Sequence, residues 1–446
     1  MIDSVSTAAP RTLARARLPR WCLPGDWPAP QGWPEPADIV LADGRVASIR
    51  PSAGLAPGAW NLGGLPVLPG LVDAHTHIDK TFTLARLGVV APGLLGAIEA
   101  TMQDKLGWTA DDVRTRAARA LQWAYEAGVV QLRTHVDWWE PRKSPLAWPI
   151  LRDLADEWAD RLVVERVSLV RLHLYAERSE AIEIARTVAA SGSGARLGGF
   201  VHTTNWDARA LRHLFEAAQA FDLDVDLHVD EELNPAATGL AETARLLREI
   251  GFAGRVVCGH ACALAAQSDA LALATLDAVA RAPITLVSLP MTNLLLQDAQ
   301  TGRTPRQRGL TLVKEARERG IPLLIASDNV QDAFCPLGSY DPVEALAAGV
   351  LAGQLGAAFD VWSETLCRAD WLSREPVARP DLVGAKADLV IFTSTHAEGW
   401  PSRAQPRVVL RDGAVVAGAL PAAWADGTGR EGPGSRAATH PAQNLA

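Results

Sequence analysis

Two histidines stand one residue apart in Leu68-Pro-Gly-Leu-Val-Asp-Ala-His-Thr-His-Ile-Asp-Lys80. In an extended segment, residues i and i+2 share a face, so His75 and His77 present both imidazoles to one side. Neutral imidazole binds zinc and iron alike. Two histidines in one strand also occur by chance, so the pair alone carries little. Three later residues change that: His228, His260 and Asp328 each follow or end a β-rich run. Three nitrogens and one carboxylate suit Zn²⁺ or Fe²⁺, and a catalytic ion must keep one position open for water. The chemistry implied is hydrolysis, because a bound metal brings the pKa of water to about 7.

Glu231, in His228-Val-Asp-Glu231, is an acid–base candidate placed to pass protons to and from a substrate nitrogen. Asp230, Glu231 and Glu232 form a run, so a solvated acidic loop is the competing reading. His135, in Arg133-Thr-His-Val-Asp137, either lines the site or is a buried barrel histidine. His173 and His202 fall at the third and fourth strands, and either could reach a substrate.

Residues this far apart in sequence need a fold that gathers strand ends. Between about 67 and 370, β-rich runs alternate with Ala- and Arg-rich helical stretches. That alternation predicts parallel strands with helical crossovers. Eight strands are expected, at 67–71, 129–136, 162–174, 196–202, 223–228, 255–260, 284–288 and 322–328. Helices are expected at 111–127, 208–220, 237–250 and 312–319. Eight strands are the count of a (β/α)₈ barrel, whose active site lies where the strand C-termini converge. Hairpin signals at Asp43-Gly44 and Asp412-Gly413 lie near the two ends of the chain. They predict a small β-sandwich built from residues 1–66 and 371–423. Residues 424–446, rich in Gly, Ser, Pro and Ala, are expected to form a loose tail.

Composition narrows the class. The 446 residues are 48% hydrophobic and 21% charged, with a net charge of -8. This suits a globular enzyme and gives no basic footprint for nucleic acid. No apolar run reaches 18 residues, so no membrane span is expected. The first 20 residues lack an apolar signal core, and five cysteines give no disulfide framework. The expected location is the cytoplasm.

Five segments together resemble the amidohydrolase superfamily, in its cytosine deaminase-like branch. They are Asp73-Ala-His-Thr-His-Ile-Asp-Lys80, Arg133-Thr-His-Val-Asp137, Asp226-Leu-His-Val-Asp-Glu231, Gly259-His260, and Ser327-Asp-Asn-Val330 with Pro336-Leu-Gly338. The resemblance spans roughly residues 60–420. It implies a distorted (β/α)₈ barrel and one divalent metal ion per subunit, held by His75, His77, His228 and Asp328. Phe200-Val-His-Thr-Thr204 lacks the lysine of two-metal relatives. It also implies hydrolytic deamination of a cytosine-like heterocycle, in which Asp328 takes the proton of water, Glu231 protonates a ring nitrogen and His260 holds the attacking water. A homo-oligomer is implied as well.

Two positions depart from the cytosine pattern. Asn329 stands where a second aspartate is usual, and Leu172-His-Leu-Tyr-Ala-Glu177 replaces a Phe-Pro-Gln segment. His77-Ile-Asp-Lys80 and Ser327-Asp-Asn329 resemble instead the N-isopropylammelide amidohydrolases, which release an alkylamine from an s-triazine. Lys80, Asn293, Gln297, Asn329 and Phe334 are the candidate substrate contacts. Cyclic amide opening and a non-catalytic barrel fit less well, because Glu231 and every ligand are retained.

Overall fold

The computed structural model describes residues 11–30, 32–140, 142–402, 405–421 and 424. The chain divides into two compact units. One comprises residues 1–69, 359–361 and 379–446; the other comprises 70–358 and 362–378.

The terminal unit begins with β1 (Thr12–Ala16), β2 (Ala37–Ala42), β3 (Arg45–Pro51), β4 (Trp60–Asn61) and β5 (Val67–Pro69). The β2–β3 hairpin turns at Asp43-Gly44, with φ of 51° and 72°, the left-handed pair that a two-residue hairpin turn requires.

In the second unit, eight parallel strands run in sequence order: β6 (Leu71–Thr76), β7 (Val129–Trp138), β8 (Val163–Val170), β9 (Ala195–Val201), β10 (Val225–Val229), β11 (Val256–His260), β12 (Ile284–Ser288) and β13 (Leu323–Ile325). The sheet closes where Thr76 bridges Asp328 in parallel and the Asp328 amide donates to the His75 carbonyl at 2.9 Å. This is a (β/α)₈ barrel. Its helices carry ordinary signals. Thr109 accepts from the Asp112 amide to cap Ala110–Ala127, and Gly128 ends that helix in the left-handed region at φ 102°. Asp207 caps Ala208–Ala220, and Asp341 caps Pro342–Gly353.

The chain then completes the terminal unit with β14 (Leu389–Phe392), β15 (Arg407–Arg411) and β16 (Ala414–Ala417). Its two four-stranded sheets, β3-β2-β1-β4 and β16-β15-β14-β5, share an apolar core of Leu13, Ile39, Trp60, Ile391 and Val408, among others.

Two expected strands are corrected. The run 67–71 is two elements: Val67–Pro69 pairs antiparallel with Leu389–Ile391 in the terminal unit, and the first barrel strand starts at Leu71. A short apolar run gives no sign of which sheet it joins. The third strand ends at Val170, and Leu172–Tyr175 coils into a 3₁₀ turn that keeps Leu172 and Tyr175 buried, as a strand would. The units divide at 69/70 and 378/379 instead of at 67 and 371. Trp424, at the start of the expected tail, is buried with its ring 5.4 Å from that of Trp60; residues 425–446 lie outside the described residues. Among the described residues, no helix is long and apolar enough to cross a membrane.

Polar residues also fill the barrel interior. Arg133 on β7 donates Nε and Nη2 to Glu165 Oε2 at 2.9 and 2.8 Å, and Nη1 to Asp226 Oδ2 at 2.9 Å. Burial opposes the guanidinium charge, but the two carboxylates outweigh it and raise its pKa. Removing one member of such a network leaves buried charge without a partner. Arg133→Met should therefore lower stability by about 3 kcal/mol or more in urea unfolding. A loss below about 1 kcal/mol would show that the two carboxylates do not depend on Arg133.

Candidate metal and catalytic site

At the C-terminal end of the barrel, four side-chain atoms converge. His75 Nε2 and His77 Nε2 each lie 3.1 Å from His228 Nε2. Asp328 Oδ1 lies 3.2 Å from His77 Nε2 and 3.7 Å from His75 Nε2. A tetrahedral ion with ligand bonds near 2.0–2.1 Å separates its ligands by about 3.3 Å, so these spacings are those of a coordination shell. As hydrogen bonds they fail: Nε2 of His228 faces two other imidazole nitrogens, and Nδ1 of all three rings is buried without a partner. Burial, followed by neighbouring positive charge, holds all three imidazoles well below their ordinary pKa, so they are neutral. Burial raises the Asp328 carboxyl to about 8. Lone pairs aimed at one point, in a site that disfavours charge on every ligand, fit a bound cation.

The strand ends supply this convergence. His75 lies on β6 and His228 on β10, while Asp328 follows β13 with φ 62°. Gly259 on β11 provides the room: a Cβ there would stand 2.8 Å from Cε1 and 2.9 Å from Nδ1 of His75.

Glu231 and His260 complete the reactive end. His260 ends β11 at φ 71°, and its Nδ1 lies 3.4 Å from Glu231 Oε1 and 3.1 Å from Asn293 Nδ2. Its Nε2 is buried with no partner. Burial lowers the His260 pKa to about 3. Glu231 is pushed well above the usual carboxylate range by burial and then by Asp328. The acidic run is not a solvated loop. Asp230 accepts from the Gly239 and Leu240 amides at the start of the Gly239–Ile250 helix, Glu232 accepts from the Thr203 amide, and Glu231 turns into the pocket.

The expected substrate contacts divide into two groups. Lys80, Asn329 and Phe334 line the pocket beside His77, His228, Glu231, His260 and Asp328. Asn293 and Gln297 sit behind it. Asn293 holds His260, and Gln297 donates to the Glu231 carbonyl at 3.2 Å. Lys80 donates to Asp137 Oδ1 at 2.7 Å and lies over the Phe334 ring at 5.2 Å. Asn329 donates to Asp332 at 2.7 Å. The other walls were not anticipated: Leu94 and Ile98 from the Leu94–Lys105 helix, Asp137 and Trp138 at the end of β7, Trp139 just after it, and Phe200 on β9. Asp137 had a legible signal, because strand alternation puts Arg133, His135 and Asp137 on one face.

His135 is fully buried. Its ring centroid lies 3.9 Å from that of His75, and it is not among the pocket-lining residues. His202 caps the Thr203–Asn205 turn and stacks on Phe200, and His173 is exposed on the turn after β8.

A parallel (β/α)₈ barrel with histidines and an aspartate at its strand ends that could hold a metal ion defines a class of hydrolases, and comparison with known proteins agrees. The model of the amidohydrolase family matches residues 179–354. The chain is 36% identical over 427 residues to pterin deaminase from Rhizobium rhizogenes (strain K84 / ATCC BAA-868), covering 94% of this chain and 96% of that protein. It is 23% identical over 399 residues to N-isopropylammelide isopropyl amidohydrolase from Pseudomonas sp. (strain ADP), covering 85% and 93%. The fold resembles that of 5-methylcytosine deaminase from Klebsiella pneumoniae, with a TM-score of 0.73 at 23% identity, covering 92% and 98%. The chain belongs to the amidohydrolase family. It is a hydrolase acting on carbon–nitrogen bonds other than peptide bonds.

Gly259→Ala should press on the His75 ring and weaken zinc affinity about tenfold to a hundredfold, as disturbed support of a ligand does. Competition against a chromogenic chelator measures this, with circular dichroism reporting the fold. Native affinity in the folded variant would show that His75 does not need this space.

Proposed function

We propose that this protein deaminates a 2-amino heterocycle of the pterin kind by hydrolysis, with one divalent metal ion bound by His75, His77, His228 and Asp328. The observation that carries the reading is Glu231: a buried carboxyl in one pocket with His228, His260 and Asp328, its Oε1 3.4 Å from His260 Nδ1 and its pKa raised by burial. Ring opening of a cyclic amide also protonates a ring nitrogen, its leaving group, so the choice of an exocyclic amine is supported by the likeness to the pterin deaminase of Rhizobium rhizogenes and by the missing lysine in Phe200-Val-His-Thr-Thr204.

When bound, a divalent ion acidifies water to a pKa of about 7 and polarises the carbon–nitrogen centre. The chain's own residues do the rest. Glu231 gives its proton to the ring nitrogen next to the carbon that bears the amine, which makes that carbon electrophilic. The Asp328 carboxylate accepts a proton from the water that adds to the carbon. His260 offers its unpartnered Nε2 to the water or its oxygen. The carbon–nitrogen bond to the exocyclic amine then breaks: Asp328 passes its proton to the amine, which leaves as ammonia, and the added hydroxyl gives its proton back to Glu231. The ring keeps an oxo group in place of the amine.

Two features favour a bicyclic ring over cytosine. Trp138, Phe200 and Phe334 with Leu94, Ile98 and Leu169 make an apolar slot suited to a planar fused ring. In addition, the residues in place of the Phe-Pro-Gln segment coil away as a 3₁₀ turn, with Leu172 and Tyr175 buried. The name of the Rhizobium relative points the same way.

The test is amine release by the metal-loaded protein from pterin, cytosine, isocytosine, ammeline and N-isopropylammelide. Pterin should release ammonia. Removing the ion with a chelator should abolish turnover, and Zn²⁺ or Fe²⁺ should restore it. Glu231→Gln should lower kcat about 10²- to 10⁴-fold with metal content unchanged. Release from cytosine and not from pterin would return the substrate to the single-ring class, and isopropylamine would make it a triazine. No release from any ring would overturn the reading.

A further inference from the structure

Asp137 is absent from the chemistry above, yet it is the most heavily used carboxylate in the pocket. It lies at the end of β7 and is buried. Its Oδ1 accepts from Lys80 Nζ at 2.7 Å, and its Oδ2 accepts from Lys105 Nζ at 2.7 Å. Lys80 comes from the loop after β6. Lys105 is the last residue of the Leu94–Lys105 helix, which contributes Leu94, Ile98 and Thr101 to the pocket wall.

Two ammonium groups thus share one carboxylate. Each ammonium also lies over aromatic rings: Lys80 over Phe334, and Lys105 over Trp108 and Trp139, each at 5.2 Å. Besides Lys105, the wall helix is tied by Asp104, which accepts from Arg86 Nε and Nη2 at 2.7 and 2.8 Å and from Trp108 Nε1 at 2.7 Å. Only Ala97 and Thr101 of its residues are buried, and its N-terminal Gly93 offers no side-chain cap. By contrast, the next helix buries six residues and is capped by Thr109. Segments with few buried apolar contacts open at low free energy, so the charged ties of Asp104 and Lys105 at its C-terminal end weigh heavily.

We propose that Asp137 is a positioning residue that couples Lys80 to the pocket wall, presenting the Lys80 ammonium to the bound heterocycle with one oxygen and clamping the Leu94–Lys105 helix through Lys105 with the other. The two roles compete. A carboxylate shared between two cations binds each less strongly than it would bind one, and the cations repel each other. A ring oxygen that accepts a hydrogen bond from Lys80 draws the ammonium from Asp137 and strengthens the hold on Lys105. Ring binding therefore tightens the wall, and by linkage a tighter wall favours the ring.

This inference rests on the reading of the site as a heterocycle pocket, but its main test needs no substrate. Hydrogen–deuterium exchange is followed over residues 94–105 in the metal-loaded full chain. Lys105→Met and Asp137→Asn should each speed exchange there about tenfold, with exchange in the barrel strands unchanged. Lys80→Met, which removes the competitor, should slow it or leave it at the native rate. Native exchange in both Lys105→Met and Asp137→Asn would overturn the clamp. Faster exchange in Lys80→Met would overturn the competition. Should Asp137→Asn fold poorly, Lys105→Met alone decides the clamp. With a substrate in hand, Lys105→Met should raise KM about tenfold and leave kcat within about twofold, because it weakens the wall without touching the reacting atoms. A fall in kcat at native KM would overturn the positioning role. Failure of the substrate panel together with the expected exchange pattern would refute the deaminase reading and leave the clamp standing.

Discussion

The whole site depends on closure of the barrel between its first and last strands. Thr76 bridges Asp328, the Asp328 amide donates to the His75 carbonyl, and the Ser327 amide donates to Asp73 Oδ1 at 2.9 Å. These bonds join residues from opposite ends of the barrel sequence and fix the Asp328 carboxylate against the His75 and His77 pair. The geometry has a conformational cost. Asp328 and His260 both adopt positive φ, which residues other than glycine visit rarely. Such strain persists where the surrounding structure over-determines it. Here the surroundings are a closed ring of parallel strands.

Around that seam, one electrostatic rule operates with two outcomes. Burial disfavours charge on every titratable group in the pocket. Where no partner is built in, as at the three imidazoles and Glu231, the group is driven to its neutral form. Where partners are built in, charge survives. Burial pushes the Asp137 carboxyl up, but Lys105 and Lys80 more than reverse it and hold it well below the usual range. Burial likewise opposes the Lys80 ammonium, which Asp137 and Asp79 raise above its ordinary pKa. The pocket thus holds a neutral, proton-bearing end and an ionic end within one enclosure.

The residues readable from sequence were those whose position along a strand determines where they go. His75, His228 and His260 lie at strand ends and Asp328 just after one, and a barrel sends all strand ends to one face, so chain order alone located them. The roles of Asn293 and Gln297 were not legible, because pointing at the pocket and pointing at a residue that lines it differ by one layer of packing. The partner of Lys80 was missed for a related reason: Asp79 and Asp332 are near it in type and motif, but Asp137 arrives from the neighbouring strand. The Leu94–Lys105 wall has no motif, since its contribution is shape. The division of 67–71 between two sheets was likewise hidden, because apolar alternation records burial and not the identity of the neighbouring strand.

The pairing of β5 with β14 also has a temporal meaning. The β2–β3 hairpin is local and can form as soon as its turn leaves the ribosome. β5 finds its partner in Leu389–Ile391, so its sheet waits until nearly the whole chain has been synthesised. All eight barrel strands precede that point. During synthesis the barrel can therefore assemble while β5 remains an unpaired apolar edge, the kind of surface on which nascent chains associate wrongly. Pro66, just before it, and Pro69, its last residue, lack amide hydrogens and limit how far a foreign strand could extend along it.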